Sequence, residues 1–343
     1  MPYPDEDEVD HPRRVAEQFA GPVTAIRPFG TGHINDTYLA KTPTGQYVVQ
    51  RLNTAVFNDP AAVTANILTV HRHGRGALMP EPVPAKTSGE WLVSDTSGVW
   101  RAWRRAPGEP RPSADATPAD LSAAGELLGR FHGLVADLDP ATVSETLPRF
   151  HDPRRRLDAL RAVIAADPCG RVAPVQDEIA MAEAAAPLAD LAADLTSRVP
   201  RRVAHFDAKL DNILFVGAEA VCLVDLDTLM PGAWFWDVGD LLRSAATTAA
   251  EDERDLDRVV VTSERYEAIL DGYRSGRSGS GAPAGAAELE AIEFAGAIIT
   301  YEQAVRFLTD WIAGDVYYRI HRPDQNLDRA RAQFRLLASM PRP

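Results

Sequence analysis

The chain has 343 residues, of which 45% are hydrophobic, and its formal net charge is −13 at pH 7. A chain of this length can bury a large core. At roughly 100 to 200 residues per domain it suggests two lobes and excludes one small domain. The acidic balance argues against a nucleic-acid partner, because binding a phosphate backbone needs a clustered basic face. We therefore expect a protein with small-molecule ligands, either a monomer or a homodimer.

The cysteines and the N-terminal segment bear on the cellular compartment. Cys169 and Cys222 have no metal-ligand spacing, and no disulfide framework is expected. Residues Met1–Asp10 are acidic, the opposite of the basic start of a signal peptide, and no apolar run approaches about 18 residues. These features predict a cytoplasmic protein without a membrane partner.

The first hundred residues combine β-strand patterns with one helix. Asp59 is a plausible N-cap with Pro60 at the first helical position, so a helix is predicted from there to His73. Together with the strands, it predicts a small β-rich N-terminal lobe over residues 1–104. The strands are predicted at Val23–Phe29, Thr37–Ala40, Tyr47–Gln50, Trp91–Val93 and Val99–Trp103.

Beyond a proline-rich connector the pattern becomes helical, with apolar residues recurring at spacings of three, four and seven from Leu121 to Val135. The Gly- and Ser-rich segment Ser275–Gly285 is expected to be a flexible loop. We predict an α+β fold with two lobes, the second mostly helical and covering residues 105–343. Its further helices are predicted at Arg154–Ile164, Gln176–Leu195, Asp237–Ala246, Ser263–Tyr273 and Ala287–Ile312.

The segment His205–Phe215 carries the most informative motif of the chain. Asp207 is followed five positions later by Asn212, and Asp225 comes after two apolar runs that predict a small hairpin. Phosphoryl transfer needs one carboxylate near the attacking hydroxyl, and an amide and a second carboxylate to hold magnesium on the nucleotide phosphates. The motif therefore predicts a kinase site that uses ATP and Mg²⁺. Lys209 is placed to reach the transferred phosphate.

The glycine turn Gly30-Thr31-Gly32 lies between two predicted strands, where backbone amides can approach a phosphate without a Cβ in the way. An ordinary hairpin turn explains these glycines equally well. Arg51, after the third strand, is the nearest basic residue to the position of the phosphate-clamping lysine of kinases. The acidic partner expected on the next helix is missing, and an exposed charge at a strand end remains the alternative for Arg51.

Two further sets of polar residues have structural or functional interpretations. Asp237 or Asp240 could accept backbone hydrogen bonds from the catalytic loop, or could cap the helix that begins there. The histidines His132, His71 and His73 lack a ligand set with metal-binding spacing, and we interpret them as structural.

The combined pattern of His205, Asp207, Lys209 and Asn212 with the later aspartates resembles the aminoglycoside phosphotransferase family, whose fold is protein-kinase-like. Within that family the chain is most similar to the N-acetylhexosamine 1-kinases. The stretches that carry this similarity are Gly32–Tyr38, Val49–Asn53, Asp225–Pro231, Gly239–Arg243, Arg306–Leu308 and Gly314–Tyr318.

This resemblance implies ATP-dependent phosphorylation of the anomeric hydroxyl of a sugar, with Asp207 as base and with Asn212 and Asp225 on magnesium. It also implies a nucleotide-binding N-terminal lobe and a sugar between the lobes. Arg306 could instead pair with an acid of its own helix, Glu302 or Asp310. The sugar contacts it suggests are His33, Asp36, Arg243, Arg306 and Tyr317.

Two rival functions remain open from the sequence. An antibiotic-modifying phosphotransferase of the same fold predicts an acidic pocket for the amines of an aminoglycoside. A catalytically silent nucleotide-binding protein is suggested by Arg51 and the missing helix glutamate, although Asp207, Asn212 and Asp225 are all present. A eukaryotic-type protein kinase is not expected, because Phe206 replaces the arginine of the H-R-D motif.

Overall fold

The computed structural model describes residues 6–30 and 34–341, and an antiparallel sheet forms the N-terminal lobe. Its strands are β1 (Ala25–Pro28), β2 (Asp36–Thr42), β3 (Gly45–Leu52), β4 (Pro82–Val83), β5 (Val93–Asp95) and β6 (Gly98–Arg104). The strand order is β1-β2-β3-β6-β4, and β5 pairs with the free part of β6. The five predicted strands of this lobe are thus confirmed, with shifts of one or two residues at their ends, and β4 was not predicted.

A helix that the sequence interpretation did not include covers one face of this sheet. Helix α1 spans Glu6–Ala20, and its Val15 and Phe19 are buried against Val49 and Trp100 of the sheet. The segment was interpreted only through its acidic start, which hid the apolar residues of its second half. The opposite face of the sheet is left to form one wall of a cleft.

Helix α2 (Pro60–His73) follows the third strand, as predicted. The Asp59 carboxylate accepts a hydrogen bond of 2.9 Å from the Ala62 amide, and Pro60 occupies the first helical position. The cap satisfies one of the amides that have no partner at a helix start. No residue of this helix is acidic.

The C-terminal lobe is mostly helical, and none of the helices in the described ranges is long and apolar enough to span a bilayer. Its helices are α3 (Pro118–Leu134), α4 (Pro153–Ala166), α5 (Gln176–Ala184), α6 (Pro187–Arg198), α7 (Phe235–Ala245), α8 (Ser263–Gly279), α9 (Ala286–Ala313) and α10 (Gln325–Ser339). The long helix α9 lies at the centre of this lobe and contacts α4, α6, α7 and α10.

The helical lobe differs from the sequence prediction in three places. The predicted helix Gln176–Leu195 is two helices, because Pro187 cannot continue the first and begins the second. The predicted loop Ser275–Gly285 is helical as far as Gly279, where α8 continues to pack on α3. Helix α10 was not predicted.

Two small sheets carry the catalytic segment. Strands β9 (Ile213–Val216) and β10 (Glu219–Leu223) form the predicted hairpin, and β7 (Glu109–Pro110) adds to its edge. Strands β8 (Arg202–Ala204) and β11 (Met230–Gly232) pair before and after it. The hairpin returns the chain so that the Val224 amide donates to the Asn212 carbonyl at 2.9 Å. This contact brings the residue before Asp225 beside Asn212.

Helices α3 and α8 approach each other closely through glycines. A Cβ on Gly125 would lie 2.2 Å from the Ile269 carbonyl oxygen, and one on Gly272 would lie 2.0 Å from that of Ser122. Only glycine fits at such a distance. The close packing places His132 of α3 against Tyr273 of α8, and this pair lies behind the catalytic loop.

Candidate active site

A cavity of about 1240 Å³ lies between the N-terminal sheet and the C-terminal lobe. Its N-terminal wall includes Val48 and Trp103, and its C-terminal wall includes Asp207, Asn212 and Asp225. The three residues of the predicted kinase motif therefore face one cleft. The volume exceeds the range of about 300 to 1000 Å³ for typical single-ligand pockets, so it has room for two ligands.

Asp207 lies at the centre of this constellation. Its carboxylate accepts hydrogen bonds from Asn212 Nδ2 at 2.8 Å and from Lys209 Nζ at 3.0 Å. Asn212 Nδ2 also donates to the Asp207 carbonyl at 2.8 Å. Burial opposes the charge of Asp207, but the Lys209 ammonium and His205 outweigh it and hold the pKa of the carboxyl below its usual value. Asp207 is therefore an ionised acceptor at neutral pH.

A buried carboxylate holds the backbone of the catalytic loop. Asp237, at the start of α7, accepts hydrogen bonds from the amides of His205 at 2.8 Å and Phe206 at 2.6 Å. Phe206 has a φ of 66°, a left-handed conformation that costs free energy for a non-glycine residue. The two amide bonds offset that cost and fix the direction in which Asp207 leaves the loop.

His132 continues this network into the helical lobe. It is fully buried, stacks on Trp234 at 4.6 Å, and has its Nε2 2.8 Å from an Asp237 oxygen and its Nδ1 2.9 Å from the Tyr273 hydroxyl. Burial lowers the pKa of His132 despite the neighbouring carboxylate. A neutral ring donates from Nε2 to Asp237 and accepts at Nδ1 from the Tyr273 hydroxyl, so both ring nitrogens and the hydroxyl have a hydrogen-bond partner. The interpretation of His132 as structural agrees with these contacts.

His205 ties the catalytic loop to the segment that carries Asp225. Its Nδ1 accepts from the Asp207 amide at 3.3 Å, and its Nε2 donates to the Val224 carbonyl at 3.0 Å. The Thr228 hydroxyl donates to the His205 carbonyl at 2.6 Å. The imidazole thus links the catalytic loop to the segment before Asp225.

Asn212 and Asp225 form a donor set that fits a divalent cation. The Asn212 amide nitrogen is engaged by Asp207, which leaves its carbonyl oxygen as the available ligand atom. No described residue donates a hydrogen bond to the Asp225 carboxylate. Burial, together with Asp227 and Asp207, raises the pKa of Asp225 to about 6. Magnesium prefers oxygen ligands, carboxylates among them. Within the described ranges, no cluster of three or more His, Cys, Asp or Glu side chains offers an alternative metal site.

A model of the phosphotransferase enzyme family matches residues 25–278, which is most of the chain. The chain belongs to this family. Solved structures of kinases share its fold, and the α+β protein-kinase-like prediction is confirmed. At these identities, all below a fifth, the likeness concerns the fold alone.

Three of these structures illustrate the range of the fold. An amicoumacin kinase in complex with AMP-PNP, Ca²⁺ and Ami is 16% identical, with a TM-score of 0.65 over 98% of this chain and 95% of that one. A microcompartment-associated aminopropanol kinase is 17% identical, with a TM-score of 0.64 over 96% and 95%. The choline kinase from Streptococcus pneumoniae is 16% identical, with a TM-score of 0.61 over 96% and 100%.

In this phosphotransferase, Arg51 and Asp36 lie away from the cavity. They are half-exposed and pair with each other, with Arg51 Nε 2.8 Å from Asp36 Oδ2. Successive strand residues face opposite sides of a sheet, and it is Val48 and Gln50 of β3 that line the cavity. The predictions of Arg51 on phosphate and Asp36 on sugar are therefore corrected. Both side chains lie on the outer face of the sheet.

The glycine turn is described only in part. Gly30 has a φ of 80° and lines the cavity, which agrees with a turn that lets backbone approach a ligand. Thr31, Gly32 and His33, which the sequence also assigned to nucleotide or sugar binding, lie outside the described residues. Asn35, just after the turn, reaches the C-terminal lobe and donates to Asp227 at 2.7 Å.

The remaining predicted substrate residues line the same cavity. Arg243 is buried and donates to both Asp240 and Glu251 at 2.9 Å. Arg306 donates to Gln303 at 2.9 Å, with its guanidinium 5.9 Å from the ring of Tyr317. Arg306 forms no direct ion pair with any described residue. Burial opposes its charge, but Tyr318 and Glu302, one of the two acids suggested on its own helix, outweigh it and raise the pKa of Arg306.

Asp310 instead fixes the loop that follows α9. Its carboxylate accepts hydrogen bonds from the amides of Val316, Tyr317 and Tyr318 at 2.8 to 3.0 Å. Asn326 of α10 also donates to it at 2.9 Å. The loop that carries Tyr317 is thereby held at the rim of the cavity. The sequence motif around Tyr317 was recognised, but the role of Asp310 had no signal beyond its position near a helix end.

Proposed function

We propose that this phosphotransferase is an ATP-dependent kinase of the anomeric hydroxyl of a sugar. The substrate is an N-acetylhexosamine or a close analogue, including a carbasugar. The observation that carries the reaction class is the meeting of Asp207, Asn212 and Asp225 in one cleft. The N-acetylhexosamine subtype rests on the sequence motifs and on the polar residues of the acceptor side.

In the proposed reaction, Asp207 accepts a hydrogen bond from the sugar hydroxyl and takes its proton as the new bond forms. The hydroxyl oxygen forms a bond to the γ phosphorus, and the bond between that phosphorus and the β–γ bridging oxygen breaks. ADP leaves with the electron pair of that bond. Lys209, which holds Asp207 at 3.0 Å, is near enough to the reacting centre to contact the transferred phosphoryl oxygens.

Asn212 and Asp225 would hold Mg²⁺ in this scheme. When bound, the ion would neutralise charge on the nucleotide phosphates and on the leaving group. Asp225 has no competing hydrogen bond from a described residue. Its pKa is raised by burial and by the carboxylates of Asp227 and Asp207, and a bound cation would oppose this shift.

Arg306 on the acceptor side favours a neutral sugar over a polyamine. Arg306 lines the cavity without an ion-pair partner among the described residues, and its remaining donors suit hydroxyl or acetamido oxygens. Tyr317, more than half exposed at the rim, would pack on the sugar ring. Arg243 would act mainly by holding Asp240 and Glu251, because its guanidinium already forms ion pairs with both carboxylates. A cationic aminoglycoside would meet a guanidinium that forms no direct ion pair with a described residue.

The test is Mg²⁺-dependent ADP release over a panel of N-acetylhexosamines, hexoses, hexosamines, cyclitols and aminoglycosides. We expect turnover of a reducing N-acetylhexosamine or its analogue. Turnover should be lost when the anomeric oxygen is blocked as a methyl glycoside, and lost in Asp207→Asn. Arg306→Gln should raise KM for the acceptor by about tenfold or more, since a charge-assisted hydrogen bond is removed.

Different outcomes separate the rival functions. Turnover of aminoglycosides alone would replace the sugar by an antibiotic acceptor while keeping the reaction class. Turnover of the methyl glycoside would move the phosphorylated position away from the anomeric carbon. Binding of ATP with no turnover on any acceptor would favour the catalytically silent function.

A further inference from the structure

A buried ion pair joins the two lobes beside the cavity. Arg101 of β6 is 3% exposed and pairs with Asp227, which is 2% exposed. Gln50 Oε1 accepts from Arg101 Nε at 3.1 Å and Nη2 at 2.9 Å. Asp227 also accepts from Asn35 at 2.7 Å. These contacts fix the guanidinium in one orientation.

One donor atom of this guanidinium has no partner among the described residues. Arg101 Nη1 is buried and makes no hydrogen bond to any described residue. A buried donor without a partner costs free energy, and native structures rarely leave one without a reason. Arg101 lines the cavity that also contains Asp207, Asn212 and Asp225. An acceptor group of a ligand in the cavity would satisfy it.

Arg101 is a second candidate for the phosphate-clamping cation of kinases, since Arg51 lies on the outer face of the sheet. Kinases clamp the nucleotide phosphates with a strand lysine, which pairs with a helix glutamate. In this chain α2 has no acid, and the cavity-facing residue of β3 is the neutral Gln50. Gln50 lies directly opposite Arg101 in the register of β3 and β6. The buried cation on the cavity face thus lies on the neighbouring strand β6, and Asp227 is its carboxylate partner.

Other cations on this wall are engaged elsewhere. Arg104 is half-exposed and donates to Glu81 at 2.9 Å, and Arg105 donates to Gln46 at 2.9 Å and pairs with Glu109. Among the described residues of the N-terminal sheet, Arg101 is the buried guanidinium with a donor facing no protein acceptor.

We propose that Arg101 binds the phosphates of the nucleotide through Nη1, and that Asp227 is the positioning residue that holds it. This inference rests on the proposed use of ATP. Asn35 and Gln50 complete the frame, since both contact one member of the pair. The ion pair then has two roles, because it joins the lobes and presents a charged donor to the nucleotide.

The test measures nucleotide binding by calorimetry without an acceptor, using ADP with Mg²⁺ and, separately, adenosine. Arg101→Gln removes the charge, and the double variant Arg101→Gln/Asp227→Asn avoids leaving Asp227 buried and unpaired. We expect both to bind ADP about 10- to 100-fold more weakly, as for a lost charge-assisted hydrogen bond, and to bind adenosine as the wild type does. Arg51→Gln, on the outer face of the same sheet, is the matched control and should bind both ligands normally.

Three results would overturn the inference. An equal loss of ADP and adenosine binding in the double variant would make the pair purely structural. Unchanged ADP affinity in a folded double variant would remove Arg101 from the phosphate site, while leaving ATP use intact. If the wild-type protein binds neither ADP nor adenosine, the proposed use of ATP is itself contradicted and the inference goes with it.

Discussion

The catalytic loop and the N-terminal sheet hold their charged groups in different ways. In the loop, Asp207 is oriented by neighbours close in sequence, and the backbone is held from behind by Asp237. In the sheet, Arg101 is oriented by residues from a neighbouring strand and from the other lobe. The loop is therefore preorganised on its own. The orientation of Arg101 on the cavity face of the sheet depends instead on a contact between the two lobes at Asp227.

The largest effect is expected at the reacting carboxylate. Asp207→Asn keeps the shape of the side chain but removes the base, so we expect kcat to fall by about 10²- to 10⁴-fold. ADP affinity should stay near that of the wild type, because Asp207 is not proposed to contact the nucleotide in the ground state. Steady-state kinetics and calorimetry measure the two quantities. The exposed Asp211, in the same loop, gives the matched control Asp211→Asn. Equal losses in kcat and ADP affinity would contradict the assignment.

The next effect concerns the support behind the loop. Asp237→Ala leaves the buried amides of His205 and Phe206 and the ring of His132 without their acceptor. Each buried donor left without an acceptor costs about 1–3 kcal/mol, so we expect the free energy of unfolding to fall by about 3–5 kcal/mol, measured by urea denaturation. Glu219→Ala, at the exposed start of β10, should change it by less than about 0.5 kcal/mol. A small effect at Asp237 would mean that the loop is held by the hairpin and not from behind.

His132, which contacts Asp237, should make the free energy of unfolding depend on pH. Burial lowers its pKa in the folded state, so the unfolded chain binds this proton more readily. Stability from His132 is thus present above its unfolded pKa of about 6.5 and is lost as the pH falls below it, with a slope that approaches about 1.4 kcal/mol per pH unit.

The measurement compares urea unfolding of the wild type and His132→Gln between pH 5 and 7.5. The variant should be less stable at pH 7.5 but should show a flatter pH dependence, so that the two curves converge at low pH. Parallel curves would mean that the pKa of His132 does not change on folding. A wild type that gains stability relative to the variant as the pH falls would mean that His132 is charged in the folded protein and paired with Asp237.

The difference between the two regions also explains what the sequence could predict. The loop motif was legible because Asp207, Asn212 and the hairpin to Asp225 are close in sequence, and a short loop can only bring them together. Arg101 carried no signal, because its role depends on lying opposite Gln50 in a sheet whose register is set by distant pairing. Asp227 was visible in its motif, but its partners in the other lobe were not.

The error at Arg51 has a single physical cause. In a strand, a shift of one residue moves a side chain to the other face of the sheet. The sequence predicted the strand Tyr47–Gln50 and the basic residue after it, but the apolar pattern of β3 does not state which face meets the cleft. Helix α1, which covers the outer face, would have settled the question, and it was not predicted.

The smallest effect is accordingly expected at the outer face. Arg51 and Asp36 are about half-exposed, so solvent screens their ion pair, and Arg51→Gln should lower the free energy of unfolding by less than about 1 kcal/mol. A double-mutant cycle with Asp36→Asn, measured by urea denaturation, isolates the pair itself. A coupling well above that value, or a KM for ATP that rises in Arg51→Gln with Arg101 intact, would mean that the two faces of the sheet are coupled through β3. The division between a structural outer face and a nucleotide-binding inner face would then have to be abandoned.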